Sequence, residues 1–119
     1  MGQGKLEDFG AYQKSLILFD AVAEDVSKWL MSFQCSRLAS QQLASADSIC
    51  ANMEEGFGRE SRKEYRHYLV IARGSARETS GRYQRLKHWI PEEVIHKRVA
   101  LADEISKILT ATINRLKQP

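Results

Sequence analysis

Residues 48–78 read SICANMEEGFGRESRKEYRHYLVIARGSARE. Ile49, Asn52 and Met53 share one face at three- and four-residue steps, the end of a helical pattern. Gly56 and Gly58 bracket a turn, and either is able to take the left-handed conformation of a helix C-cap. Ser61-Arg62-Lys63-Glu64 follows, a serine with glutamate three residues on, which is the capping box that starts a new helix. Tyr65, Leu69, Ala72, Ala76, Thr79, Tyr83 and Leu86 then carry an apolar stripe to about His88. A helix, a tight turn and a capped helix predict an antiparallel pair.

The same spacing extends in both directions. Towards the N-terminus, a helix from about Arg37 to Glu55 turns Leu38, Gln42, Ser45, Ala46, Ile49, Asn52 and Met53 inward. Ser45 and Asn52 on that face require hydrogen-bond partners once buried. Before it, a first helix starts near Asp8 or Gly10 and ends near Met31. Tyr12, Leu16, Phe19, Val22, Val26 and Leu30 form its apolar side, leaving Asp20, Glu24, Asp25 and Lys28 for the other faces. Towards the C-terminus, Pro91 suits the first turn of a fourth helix, with Glu92 and Glu93 favouring its N-terminus. Ile95, Val99, Ala102, Ile105, Leu109, Thr112 and Leu116 point inward from it. Inside the third helix, Gly74 beside Ser75 suggests a close helix approach, while Gly81 has no evident reason. The fold class is all-α, an antiparallel up-down-up-down four-helix bundle occupying residues 1–119 as a single domain.

Composition agrees. A chain of 119 residues with 43% hydrophobic and 28% charged residues suits one globular core, and alternating strand-like runs are missing. The N-terminus lacks the apolar stretch of a secretory signal, and no apolar run approaches the ~18 residues that a membrane span needs. Cys35 and Cys50 are expected as buried thiols in a reducing cytoplasm.

Charge is unevenly placed. Residues 1–58 hold four Lys/Arg against eight Asp/Glu, residues 59–88 nine against three, and residues 89–119 five against four. Net charges of −4, +6 and +1 make the chain's +3 the cover for one basic segment. With Arg62 at zero, a 100° advance puts Arg66 near ~40°, Arg73 near ~20° and Arg77 near ~60°, and Arg59 near ~60° if the helix reached back that far. Such a row suits a polyanion, whose neutralised phosphates release counterions. It equally suits a solvated flank or an oligomer contact neutralised by Glu54, Glu55 or a neighbouring copy's acids. Val70, Ile71, Trp29, Trp89 and Ile90 lie outside the main stripes or at helix ends and favour self-association.

Catalytic patterns are absent from the reading. His67, His88 and His96 have no carboxylate or cysteine at ligand spacing, so no metal or other cofactor is expected. Glu54, Glu55 and Glu64 lack the accompanying histidines of di-iron bundles, and the Gly56-Phe57-Gly58 turn lacks the lysine of a phosphate loop. The expectation is a protein that is not an enzyme.

Ser48-Ile49, Asn52, Glu55-Gly56, Gly58-Arg59, Ser61, Glu64-Tyr65, Leu69, Ile71-Ala72, Gly74-Ser75 and Glu78 resemble the motif of the "four helix bundle protein" family. That family comprises proteins encoded in intervening sequences of bacterial large-subunit ribosomal RNA genes, and is related to the accessory variability proteins of diversity-generating retroelements. The likeness covers about residues 41–78, with weaker support from Ala102 to Leu109. It implies a bundle that assembles as a homopentamer. In the accessory branch it also implies a basic surface for RNA or DNA and a reverse-transcriptase partner. The nucleic-acid candidates are then Arg59, Arg62, Arg66, Arg73 and Arg77, with Asn52, Glu55, Gly56, Gly58, Ser61 and Glu64 forming a structural corner. Leu43-Ala44 stand where many members carry an arginine pair, and Asp47 and Glu54 replace small or apolar residues. Any basic surface therefore rests on the third helix, with Lys97 and Arg98 of the fourth.

Overall fold

The helical periodicity becomes α1 (Gly10–Trp29), α2 (Ser36–Phe57), α3 (Arg62–Arg85) and α4 (Glu92–Leu116). The computed structural model describes residues 4–119, and no strand occurs among them. Single 3-10 turns at Leu6–Asp8, Phe33–Cys35 and Leu86–His88 tighten the connections. Cross-helix bonds fix the directions. Tyr12 at the start of α1 donates to Glu54 near the end of α2 at 2.8 Å. Gln42 early in α2 donates to the Thr79 carbonyl late in α3 at 3.0 Å. Arg73 of α3 reaches Thr110 of α4 at 3.1 Å, and Lys14 of α1 pairs with Glu104 of α4 at 3.0 Å. Neighbours therefore alternate in direction around an elongated bundle of 48 × 21 × 19 Å.

The α3 stripe lies inside along its whole length, from Tyr65 to Leu86. On α4, Ile95, Ala102, Ile105, Leu109 and Thr112 are buried, joined by Ile113, while Val99 and Leu116 are half-buried. The first helix departs from its sequence reading. Its inner face is Ala11, Ser15, Leu18, Val22, Asp25 and Val26, whereas Leu16 and Ile17 are 42% and 59% exposed. Two polar residues on the true face shifted the apolar reading sideways. Ser15 becomes compatible with burial by donating to the Ala11 carbonyl at 2.6 Å, and Asp25 by the contacts described below.

The glycines also behave differently from expectation. Gly56 falls inside the last turn of α2, and Gly58 is right-handed at φ −85°, so the left-handed cap is not used. Gly56 is needed for space instead. A Cβ there would sit 2.6 Å from the Cβ of Tyr68, so its absence lets α2 and α3 close together. Gly74 faces open solvent with nothing within 4 Å of such an atom, and the predicted close approach is not there. Pro91 is the N-cap of α4 rather than part of its first turn, with Glu92 and Glu93 directly behind it.

Cys35 and Cys50 are buried free thiols, and burial next to Glu54 and Asp47 pushes the Cys50 thiol up to about 11. Among the described residues no helix is long and apolar enough to cross a membrane.

Candidate nucleic-acid interface

The basic segment folds into α3, whose two flanks face α2 and α4. On the α2 flank, Arg82 is 5% exposed. Its Nη1 donates to Gln42 Oε1 at 2.8 Å and Ser45 Oγ at 3.0 Å, with the Gln41 carbonyl at 3.4 Å. Its Nη2 meets Glu78 Oε2 at 2.8 Å, one turn earlier on α3. Thr79 spends its only hydroxyl proton on the Ser75 carbonyl at 2.8 Å, so Ser45 must donate in their 2.8 Å contact. Lower down, Asn52 donates to Ser48 Oγ at 2.9 Å, and Ser75 donates to the same oxygen at 2.8 Å. Asn52 thus reaches α3 through Ser48 rather than at the turn. The small polar residues on the inner side of α2 form a hydrogen-bonded seam with α3.

A second buried polar group joins three helices. Asp25 of α1, 1% exposed, accepts from the Tyr83 hydroxyl of α3 at 2.6 Å. Arg98 of α4 grips the same carboxylate with Nε at 2.8 Å and Nη2 at 2.9 Å. The bond to Asp25 raises the Arg98 guanidinium, while burial first and the Asp25 contact second raise the Tyr83 hydroxyl. Arg98 is therefore turned inward and leaves the basic surface that the sequence assigned to it. Lys97 remains exposed.

The α4 flank of α3 carries the arginine row. Arg62 Nη2 donates to the Arg115 carbonyl at 3.2 Å, and Arg73 Nη1 to Thr110 Oγ1 at 3.1 Å. Arg77 shares a shallow surface depression with Lys107, Ser106 and Thr110. Arg66 is half-buried on the same line. No ion pair among the described residues includes Arg62, Arg66, Arg73 or Arg77. Two of the four are held by neutral oxygens, which fix the guanidinium but leave its charge uncompensated. Lys107, absent from the sequence reading, adds to the row because α4 packs antiparallel beside it.

Arg59 stands apart. It precedes α3, pairs with Glu55, donates to the Tyr68 hydroxyl at 3.0 Å and lies over that ring at 5.1 Å. Its charge sits at the α2–α3 corner with Glu55, off the line of the other four. The corner is closed by Ser61, whose Oγ accepts the Glu64 backbone N–H at 3.1 Å and caps α3. Of the acids expected to neutralise the row, Glu55 does pair with its corner member Arg59, while Glu54 accepts from Tyr12, whose hydroxyl that bond chiefly lifts to about 12. His96 lies 3.6 Å from Glu92, and no cluster of three or more His, Cys, Asp or Glu side chains suited to a metal occurs among the described residues.

Fold and surface together define the class, an all-α antiparallel four-helix bundle with a row of surface arginines on its third helix. The chain belongs to the family described as 23S rRNA-intervening sequence protein, which it matches over residues 7–111. It is also similar to a crystal structure from Bacteroides thetaiotaomicron VPI-5482, described as a protein with unknown function from the S23 ribosomal protein family. The two are 26% identical with a TM-score of 0.77, over 87% of this chain and 97% of that one. A comparison with curated proteins gave no match.

Proposed function

We propose that this protein is a non-enzymatic, self-associating bundle that binds RNA or DNA through Arg62, Arg66, Arg73 and Arg77. The observation that carries the reading is four aligned guanidiniums without a carboxylate partner among the described residues, on a segment of net +6. An unpaired row repels itself, and a phosphate backbone relieves that repulsion while releasing counterions. Four contacts to single-stranded RNA give a log–log salt slope of about −3, and alanine at Arg62, Arg66 and Arg73 together flattens it by about 2. Fluorescence anisotropy on a labelled mixed-sequence RNA reads both. Binding indifferent to salt, or none at low salt, rules the reading out. Within it, the resemblance to accessory variability proteins points to a reverse-transcriptase partner, and a co-purification with the neighbouring gene's product tests that step.

A scaffold reading has its own support. Residues 1–58 carry a net −4, and Leu16, Ile17, Val70 and Ile71 expose apolar surface. In a homo-oligomer such as the pentamer implied by the resemblance, the arginine row of one copy would face the acidic half of the next. Arg66→Glu with Arg73→Glu then dissociates the assembly in light scattering, with no RNA affinity to lose.

A further inference from the structure

The arginine row ends at Arg62, beside a pocket at one end of the bundle. There the end of α2, the start of α3, the last turn of α4 and the segment before α1 enclose about 500 Å³. That volume lies within the usual small-molecule range of about 300–1,000 Å³. Its floor is aromatic. The half-buried rings of Phe57 and Phe9 supply its accessible aromatic surface, and Tyr65, 7% exposed, meets Phe57 edge to face with ring centroids 6.0 Å apart. Lys5, Arg62 and Arg115 stand around it, with Asp8 as the single carboxylate among the described residues that line it. None of the three cations belongs to an ion pair among the described residues. Arg62 is held in place by the Arg115 carbonyl, and the Arg115 charge reaches Tyr65, opposing the upward push of burial on its hydroxyl.

We propose that this pocket binds a nucleoside phosphate, with its base against the aromatic floor and its phosphate among Lys5, Arg62 and Arg115. An aromatic floor alone accepts any flat apolar group, and three cations alone accept any small anion. Their combination in one pocket selects a ligand with a flat ring and an anionic group a sugar's length apart. Stacking on an aromatic ring accepts any base, because every base has a π-face. Arginine forks match phosphate oxygens in pairs, and a net lining charge of +2 opposes a phosphate dianion. The ligand is a free mononucleotide or the phosphorylated last nucleotide of a strand, and the strand form rests on the function proposed above because Arg62 serves both surfaces.

Calorimetric titration of the full chain with adenosine 5′-monophosphate, adenosine and inorganic phosphate tests the pocket. The monophosphate binds saturably, and each fragment binds at least about tenfold more weakly. Arg115→Gln keeps the carbonyl that Arg62 uses, and weakens the monophosphate about tenfold. Arg37→Gln, on an exposed residue of α2 outside the pocket, leaves it unchanged. Circular dichroism checks that both variants keep their helices. No saturable binding into the millimolar range, phosphate binding as tight as the monophosphate, or indifference to Arg115→Gln overturns the proposal.

Anisotropy with single-stranded RNA bearing phosphate or hydroxyl ends separates the two sources. A phosphate-end preference lost in Arg115→Gln supports the strand terminus. RNA binding without end preference, together with monophosphate binding, supports the free nucleotide. RNA binding with no monophosphate binding overturns the pocket while the α3 row stands, and the reverse result upholds the pocket while the row falls.

Discussion

The two flanks of α3 carry the same residue type in opposite circumstances. Against α2, Arg82 is buried and four oxygens surround its two terminal nitrogens. Against α4, Arg62 and Arg73 touch one neutral oxygen each and no carboxylate among the described residues. The difference comes from the partner helix. α2 offers Gln42, Ser45 and the Gln41 carbonyl at the height of Arg82, whereas α4 offers Thr110 and a terminal carbonyl at the surface. One flank uses its arginine to hold the bundle together, and the other leaves its arginines with charge to spare. Arginine content alone therefore says little about function until each guanidinium's acceptors are counted.

The largest expected effect comes from Arg82→Ala, which strips Gln42 and Ser45 of a buried donor and costs about 3 kcal/mol in urea unfolding. Glu78 is half exposed and regains water, which keeps the loss at that level. Arg66→Ala and Arg77→Ala each change stability by less than about 0.5 kcal/mol. Equal losses on both flanks would break the distinction. Next, Gly56→Ala forces a methyl group onto Tyr68 and costs about 2 kcal/mol through the shift it imposes on the α2–α3 corner. Gly74→Ala, on an exposed turn of α3 with free space around it, raises stability by about 0.5–1 kcal/mol. Thermal melts of the two variants should move in opposite directions.

The smallest effect asks whether the far side of α2, against α1, follows the same logic as the seam. Cys50 keeps its proton to about 11 against an ordinary 9.0, and Tyr12 to about 12 against 10.0. In both cases the folded chain holds a proton that the unfolded chain releases. Their contribution is complete below pH 9 and disappears as pH rises through 9–11 for Cys50 and 10–12 for Tyr12. Melting temperature should be flat across pH 7–9 with respect to these two groups and then fall. Cys50→Ala removes the earlier part of that fall and Tyr12→Phe the later part.

Helix number, order and the inward face of α3 were legible because apolar residues there repeat without interruption. α1 was not, since Ser15 and Asp25 occupy core positions and no apolar rule places an aspartate inside. Its partners are Tyr83 and Arg98, far away along the chain, so a reading of local spacing had no means of finding them. The same blindness put Arg98 on the basic surface and left out Lys107, whose place beside Arg77 depends on the register of α3 against α4. Arg59 shared a wheel angle with Arg77 only on the assumption that α3 extends back past Ser61, which Ser61 prevents by capping it. The polar inner face of α2 was visible in Gln42, Ser45 and Asn52, but its match in Arg82 was not. An arginine at that spacing reads as surface until α2 supplies the acceptors.

The Asp25 carboxylate also acts as a key for assembly of the chain. α1 must slide against α4 until one residue pair meets, and its neighbours at one helical turn either way are Ala21 and Trp29. Neither accepts a hydrogen bond from Arg98 or Tyr83, and either slip would leave an aspartate stranded among apolar side chains. Burying that charge singles out one alignment of the first helix among those that hydrophobic packing alone would tolerate. The end-on pocket inherits the result, because the Phe9 wall and Lys5 just before α1 are carried to their places by that alignment.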